Sequence, residues 1–231
     1  MLRSSRLLEG DQILHVDSED RPFWDHPPSK DFVKKHLYHA KALQTDAEIL
    51  RYASDAVTVD GAFIELGVWE AKTINFIAAL NPTKKIYGCD SFEGLPEAWN
   101  KGNEILPKGA FAWKKKELPF VLPNVVLAIG WFEETLPELS LSVLGLNPIA
   151  LLHVDCDLYS STACGFKYLG KHLEDGSIIV FDDFYNYPNF ENDAVKALNE
   201  FLSLTGFRAD FIAYNIFHQQ VVVRIRGKRK G

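Results

Sequence analysis

The residues best suited to chemistry are two acidic pairs. Asp155 and Asp157 stand in HVDCDLY, and Asp182 and Asp183 in IVFDDFY, each pair at the end of a short hydrophobic run of strand character. If those runs are neighbours in a parallel sheet, four carboxylates crowd into one small volume. Their repulsion is costly unless a cation, a proton or a cationic substrate group lies among them. The pattern points to an oxygen-lined divalent-metal site at the carboxyl edge of an α/β sheet, where open α/β folds place their ligands. The plainer alternative makes these aspartates turn residues or helix N-caps. His153 shares the first apolar run, and a lone histidine there reads first as a structural core residue.

A second cluster lies upstream. Phe63-Ile64-Glu65-Leu66-Gly67-Val68-Trp69-Glu70 reads as a strand running into a glycine turn before a helix. Gly67 lets backbone amides approach a ligand, and Glu65 can accept from an amine or a hydroxyl. The later glycine positions of a dinucleotide fingerprint are Trp69 and Ala71 or Lys72, so a pyrophosphate would be crowded. The next strand ends in Asp90, about twenty residues on, where an acidic group suits the two hydroxyls of a ribose. The set fits an adenosine ligand without a diphosphate; a cap formed by Asp90 before Ser91 is the alternative.

Several elements must position these groups. Residues up to about Lys30 lack a period and read as an irregular arm, and 31–57 carries apolar residues at helical spacing. Strands are expected over 61–68, 85–90, 124–130, 148–155 and 177–183. Helices are expected over about 71–80, 161–173 and 192–204, and two β runs, RADFIAYN and QQVVVRIR, follow. Continuous apolar strands alternating with helices imply a parallel sheet covered on both faces. That predicts an α/β three-layer sandwich of seven strands ending in a hairpin. Residues 1–57 are expected to form an arm and helical lid, with the main domain over 58–231. The stretch 93–123 is too long for a tight connection and reads as a lid-like insertion.

FIELGVWEAKT, IYGCDSFEGLP, GWFEETLP, LLHVDCDLYSST and IIVFDDF, in this order, resemble the macrocin O-methyltransferase family. The resemblance covers roughly 58–200. It implies the class I methyltransferase fold, sheet order 3-2-1-4-5-7-6, with S-adenosylmethionine and Mg²⁺ as cofactors. Glu65, Gly67, Val68 and Trp69 would hold the methionine part and Asp90 the ribose. Ser91, Phe92, Glu93 and Gly94 would wrap the adenosine, and Gly130, Trp131 and Phe132 would flank the adenine. Asp155, Asp182 and Asp183 would bind the metal, with Asp157 a further ligand or the base. Ala71 departs from a glycine common in the family.

The implied reaction is O-methylation of a sugar or other natural-product hydroxyl. Metal chelation lowers the acceptor's pKa, and a nearby carboxylate or histidine takes the proton, with Asp155 and Asp157 favoured. A glycosyltransferase could instead use Asp155-Cys156-Asp157 as a DxD motif, and an inactive scaffold on the same fold is a non-enzymatic alternative.

The chain has 231 residues, 47% hydrophobic and 24% charged, enough for one well-cored domain. A formal net charge of −6 argues against a dedicated nucleic-acid surface. The basic cluster from Arg224 to Lys230 reads as a solvated terminus. Cys89, Cys156 and Cys164 lack metal-ligand spacing, and Cys89 and Cys156, at strand ends, read as small buried residues in a reducing compartment. Without a signal sequence or spanning segment, the expectation is a cytoplasmic enzyme with a small-molecule acceptor and no membrane or nucleic-acid partner. Homo-oligomerisation is left open.

Overall fold

A computed structural model describes residues 27–227 of the chain. In chain order the helices are α1 (Pro27–Phe32), α2 (Asp46–Asp55), α3 (Lys72–Leu80), α4 (Phe132–Glu138), α5 (Tyr159–Leu169) and α6 (Ala194–Thr205). The strands are β1 (Lys41–Leu43), β2 (Ala62–Leu66), β3 (Ile86–Asp90), β4 (Trp99–Asn100), β5 (Ile105–Leu106), β6 (Val125–Ile129), β7 (Ile149–Val154), β8 (Ile178–Phe181), β9 (Arg208–Asn215) and β10 (Val221–Arg226).

The main sheet runs β6-β3-β2-β7-β8-β10-β9-β1. Numbering β2, β3, β6, β7, β8, β9 and β10 one to seven recovers the expected order 3-2-1-4-5-7-6. β10 is antiparallel to both of its neighbours, and the pairs among β2, β3, β6, β7 and β8 are parallel. β7 is buried at every position, as expected of a strand covered on both faces. One core lies under α2 and α3 (Ile49, Ile74, Phe76), the other under α4, α5 and α6 (Leu136, Phe166, Phe201).

The helical reading of 31–57 needs correcting. α1 passes into a π-helical turn, Val33–Leu37, and the chain then extends as β1, an eighth strand parallel to β9. The helix resumes only at α2, where Thr45 and Glu48 form a capping box. Leu37 and Leu43 are both buried, but in different cores. Apolar spacing alone does not separate one helix from two elements that bury opposite faces. The arm was expected to reach Lys30, yet Pro27 and Pro28 open α1, where a missing N–H costs nothing. Phe32 fixes α1 against Phe184, Phe190 and Phe211, with ring centroids 5.9, 5.5 and 6.1 Å away. The rest of the arm, 1–26, and the basic residues Lys228, Arg229 and Lys230 lie outside the described residues. Among the described residues no helix is long and apolar enough to cross a membrane. All three cysteines are free and buried.

Candidate active site

The backbone ladder continues past the strand ends. Gly130 N donates to Asp90 O (3.0 Å), Gly67 N to Cys89 O (2.9 Å), Asp155 N to Leu66 O (2.8 Å) and Asp182 N to Val154 O (3.0 Å). Four connections thus leave the sheet at one level, at its carboxyl edge. They floor a cleft of about 750 Å³, within the usual range for a small-molecule site.

Gly67 has φ +87°, and a Cβ there would lie 1.7 Å from Asp155 O. Only glycine lets β2 and β7 pair this far. Gly67→Ala is therefore expected to wedge the two strands apart, costing about 4 kcal/mol or more. Thermal melting and S-adenosylhomocysteine calorimetry check this, and wild-type values in both would refute the close approach. Trp69 and Ala71 in the same turn also take left-handed conformations, φ 42° and 59°. Ala71 thus adopts the backbone shape that a glycine would take without strain.

Asp90 is more deeply committed than a ribose ligand need be. Its Oδ2 accepts from Val68 N (2.7 Å) and Trp69 N (2.8 Å), and its Oδ1 from Phe92 N (2.7 Å). A carboxylate has about four acceptor positions, so one remains for a hydroxyl. It caps no helix, and Ser91 Oγ accepts from Glu93 N instead. Asp90→Ala is expected to cost about 1.5–3 kcal/mol for each charged bond lost and to weaken S-adenosylhomocysteine binding as the 67–71 turn loosens. An unchanged melting temperature would show that these bonds carry no weight.

Gly67, Val68, Trp69, Ser91 and Gly94 line the cleft, as do Gly130, Trp131 and Phe132. Glu65 and Phe92 are buried beside it. Glu65 sits under the floor, where Oε1 accepts from Thr73 Oγ1 (3.0 Å) and Oε2 meets His153 Nδ1 (2.8 Å).

At the other end, Asp155, Asp157, Asp182 and Asp183 do converge. Burial pushes the Asp155 carboxyl well up, and Asp182 and Asp157 add repulsion. Burial and Asp183 do the same to Asp157, which hydrogen-bonds Asp183. Burial also raises Asp183, while Lys101 opposes the rise. Burial alone would lower His153, but Glu65 and Asp182 outweigh it and hold its pKa above the ordinary value.

Two participants, Lys101 and Gln220, were not singled out from the sequence. Lys101, carried on the β4–β5 hairpin of the 93–123 insertion, reaches Asp183 Oδ1 and Gln219 Oε1, each at 3.4 Å. Its ammonium lies 4.1 Å from the Trp99 ring centroid, and Trp99 is itself buried and donates to Asp193 Oδ2 (3.0 Å). Gln220 Nε2 donates to Asp182 Oδ1 (3.1 Å), and Gln220 Oε1 accepts from Asn215 Nδ2 (2.8 Å). Gln220 follows the β9–β10 turn, and pairing of Val221 with Phe181 brings it beside Asp182. That register cannot be read before the hairpin is closed. Lys101 gives no periodic signal, because its place depends on how the insertion folds back.

The family model of the macrocin-O-methyltransferases (TylF) matches residues 43–216. The chain belongs to that family. A similar member of known role is the 8-demethyl-8-(2,3-dimethoxy-α-L-rhamnosyl)-tetracenomycin-C 4′-O-methyltransferase of Streptomyces olivaceus, 25% identical over 58% of this chain and 58% of its own. The demethyldecarbamoylnovobiocin O-methyltransferase of Streptomyces niveus is 24% identical over 56% of this chain and 55% of its own. The macrocin-O-methyltransferase-like match thus spans less than three-fifths of the length of these curated relatives. The calicheamicin methyltransferase CalS11 shares the fold, at 22% identity and TM-score 0.59, over 96% of this chain and 90% of its own.

Proposed function

We propose that the chain is an S-adenosylmethionine-dependent, divalent-metal-dependent O-methyltransferase acting on a sugar hydroxyl of a natural product. The observation that carries this reading is the convergence, in one cleft, of the glycine turn at Gly67 and the carboxylates of Asp155, Asp157, Asp182 and Asp183. Family membership supports it, as do relatives named for O-methylating a rhamnosyl-tetracenomycin and demethyldecarbamoylnovobiocin. The donor set suits a hard divalent cation, and the buried, mutually repelling carboxyls need such a charge.

In this reading Gly67, Val68 and Trp69 hold the methionine end, Asp90 one ribose hydroxyl, and Trp131 and Phe132 the adenine. Asp155, Asp182 and Asp183 would hold the metal, Mg²⁺ in this reading. When bound, the sulfonium would supply an activated methyl group and the metal a positive charge that would lower the acceptor's pKa. Transfer is an in-line displacement, so the protein's main task is alignment. Asp157, beside those carboxylates, is placed to take the acceptor's proton once it has released its own to solvent. The 93–123 insertion closes the acceptor side through Trp99 and Lys101.

A DxD glycosyltransferase would leave the Gly67 turn and the Asp182/Asp183 pair without a role. Calorimetry separates the two. S-adenosylhomocysteine should bind in the cleft, and its failure to bind at any concentration tested would replace this reading.

A further inference from the structure

His153 has no task in the reading above. It is fully buried in β7 and, by strand alternation, faces the same side of the sheet as Asp155. Register places it directly beside Glu65 on one neighbouring strand and Val180 on the other, and Asp182 lies two residues past Val180. Glu65 already accepts from Thr73 and meets His153 Nδ1 at 2.8 Å. A carboxylate there fixes the proton on Nδ1 and turns the Nε2 lone pair the other way.

Nε2 is buried, and no hydrogen-bond partner meets it. Buried polar atoms are rarely left so, and each exception asks for a missing partner. Nε2 lies 3.9 Å from Asp182 Oδ1, too far for a hydrogen bond. Yet one ligand atom each from His153, Asp155 and Asp182 lie within 4.8 Å of one another, the spacing of donors around a single ion. A carboxylate behind a histidine is the usual outer support of a metal-bound imidazole. Asp183, by contrast, is engaged with Lys101 and Asp157.

We infer that His153 Nε2 is a metal ligand alongside Asp155 and Asp182, making a mixed nitrogen and oxygen site that takes a first-row transition ion in preference to Mg²⁺. Imidazole suits such ions, whereas Mg²⁺ favours oxygen donors and retained water. Any proton on Nε2 is released to solvent as the nitrogen–metal bond forms. The inference rests on the metal reading of the cleft and deepens it.

The test loads metal-stripped full-length protein with Mn²⁺ and records electron spin-echo envelope modulation, with calorimetry of Mn²⁺ and Mg²⁺ beside it. The expected spectrum carries nitrogen-14 coupling from a coordinated imidazole. Wild type should bind Mn²⁺ roughly 30-fold or more tightly than Mg²⁺. His153→Asn, which keeps a donor towards Glu65, should lose the coupling and about 10-fold or more of the Mn²⁺ affinity while Mg²⁺ binding changes little. Mn²⁺ binding without nitrogen coupling in the wild type would overturn the inference and leave an all-carboxylate site standing, whether or not the variant folds. A wild type that takes up neither ion would overturn the metal reading itself, and this inference with it.

Discussion

Asp182→Asn should abolish most methyl transfer while leaving S-adenosylhomocysteine affinity within about twofold. Asp182 leaves the sheet at β8, two strands away from the Gly67 turn on β2, so the substitution lies outside that turn. Its Oδ1 is already oriented by Gln220, so the carboxylate is presented rather than searching for a pose. Changes to outer partners of a metal site cost about 10–100-fold, and loss of a ligand should cost at least the upper end of that range. Metal affinity by calorimetry and transfer of a labelled methyl group are the readouts. Restoration of the variant by excess metal to wild-type turnover would show that Asp182 is not a ligand.

Asp157→Asn should make the metal-free protein more stable at pH 8, at the expense of activity. Burial first, and Asp183 second, hold the Asp157 carboxyl well above its ordinary range. A carboxyl raised on folding contributes stability that is fully present below its unfolded pKa. That contribution is lost as pH rises through the folded pKa. At pH 8 the wild type bears this cost and the amide does not; near pH 3 both are uncharged there and the difference should vanish. The substitution suits the backbone, because Asp157 has φ 61°, a conformation asparagine tolerates. Each kcal/mol of repulsion relieved should raise the melting temperature by about 2–4 °C in a domain of this size. Equal melting curves at pH 8 would mean that the carboxyl is not destabilised by its neighbours. Saturating metal should reverse the order, since it stabilises the wild type more.

Much of this site was legible because it is built on strand ends. The runs PIALLHVD and SIIVFDD are buried on both faces, so their apolar character is continuous and their acidic ends stand out. Alternation with helices made them parallel, and parallel strands put their carboxyl ends together. What stayed hidden depends on register or on folding back. β1 is three residues long and owes its strand form to β9, so no periodicity of its own marks it. Asp90 sits where a ribose ligand was expected, but its three backbone bonds exist only once the 67–71 turn has curled over it. His153 looked like a core residue because it lies on an apolar strand; its partner Glu65 is 88 residues away and meets it only through the β2–β7 register. Lys101 reaches the carboxylates from an insertion whose sequence predicted only length and aromatic content.

The central claim is that methyl transfer in this cleft depends on a divalent ion held by the strand-end carboxylates. Its most direct test is transfer of a labelled methyl group from S-adenosylmethionine to a panel of glycosylated acceptors, measured in EDTA and again after a divalent metal is restored. Turnover should fall by about 100-fold or more in EDTA and recover on adding metal, with S-adenosylhomocysteine binding unaltered throughout. Full turnover in EDTA would contradict it and leave Asp155 or Asp157 as a simple general base.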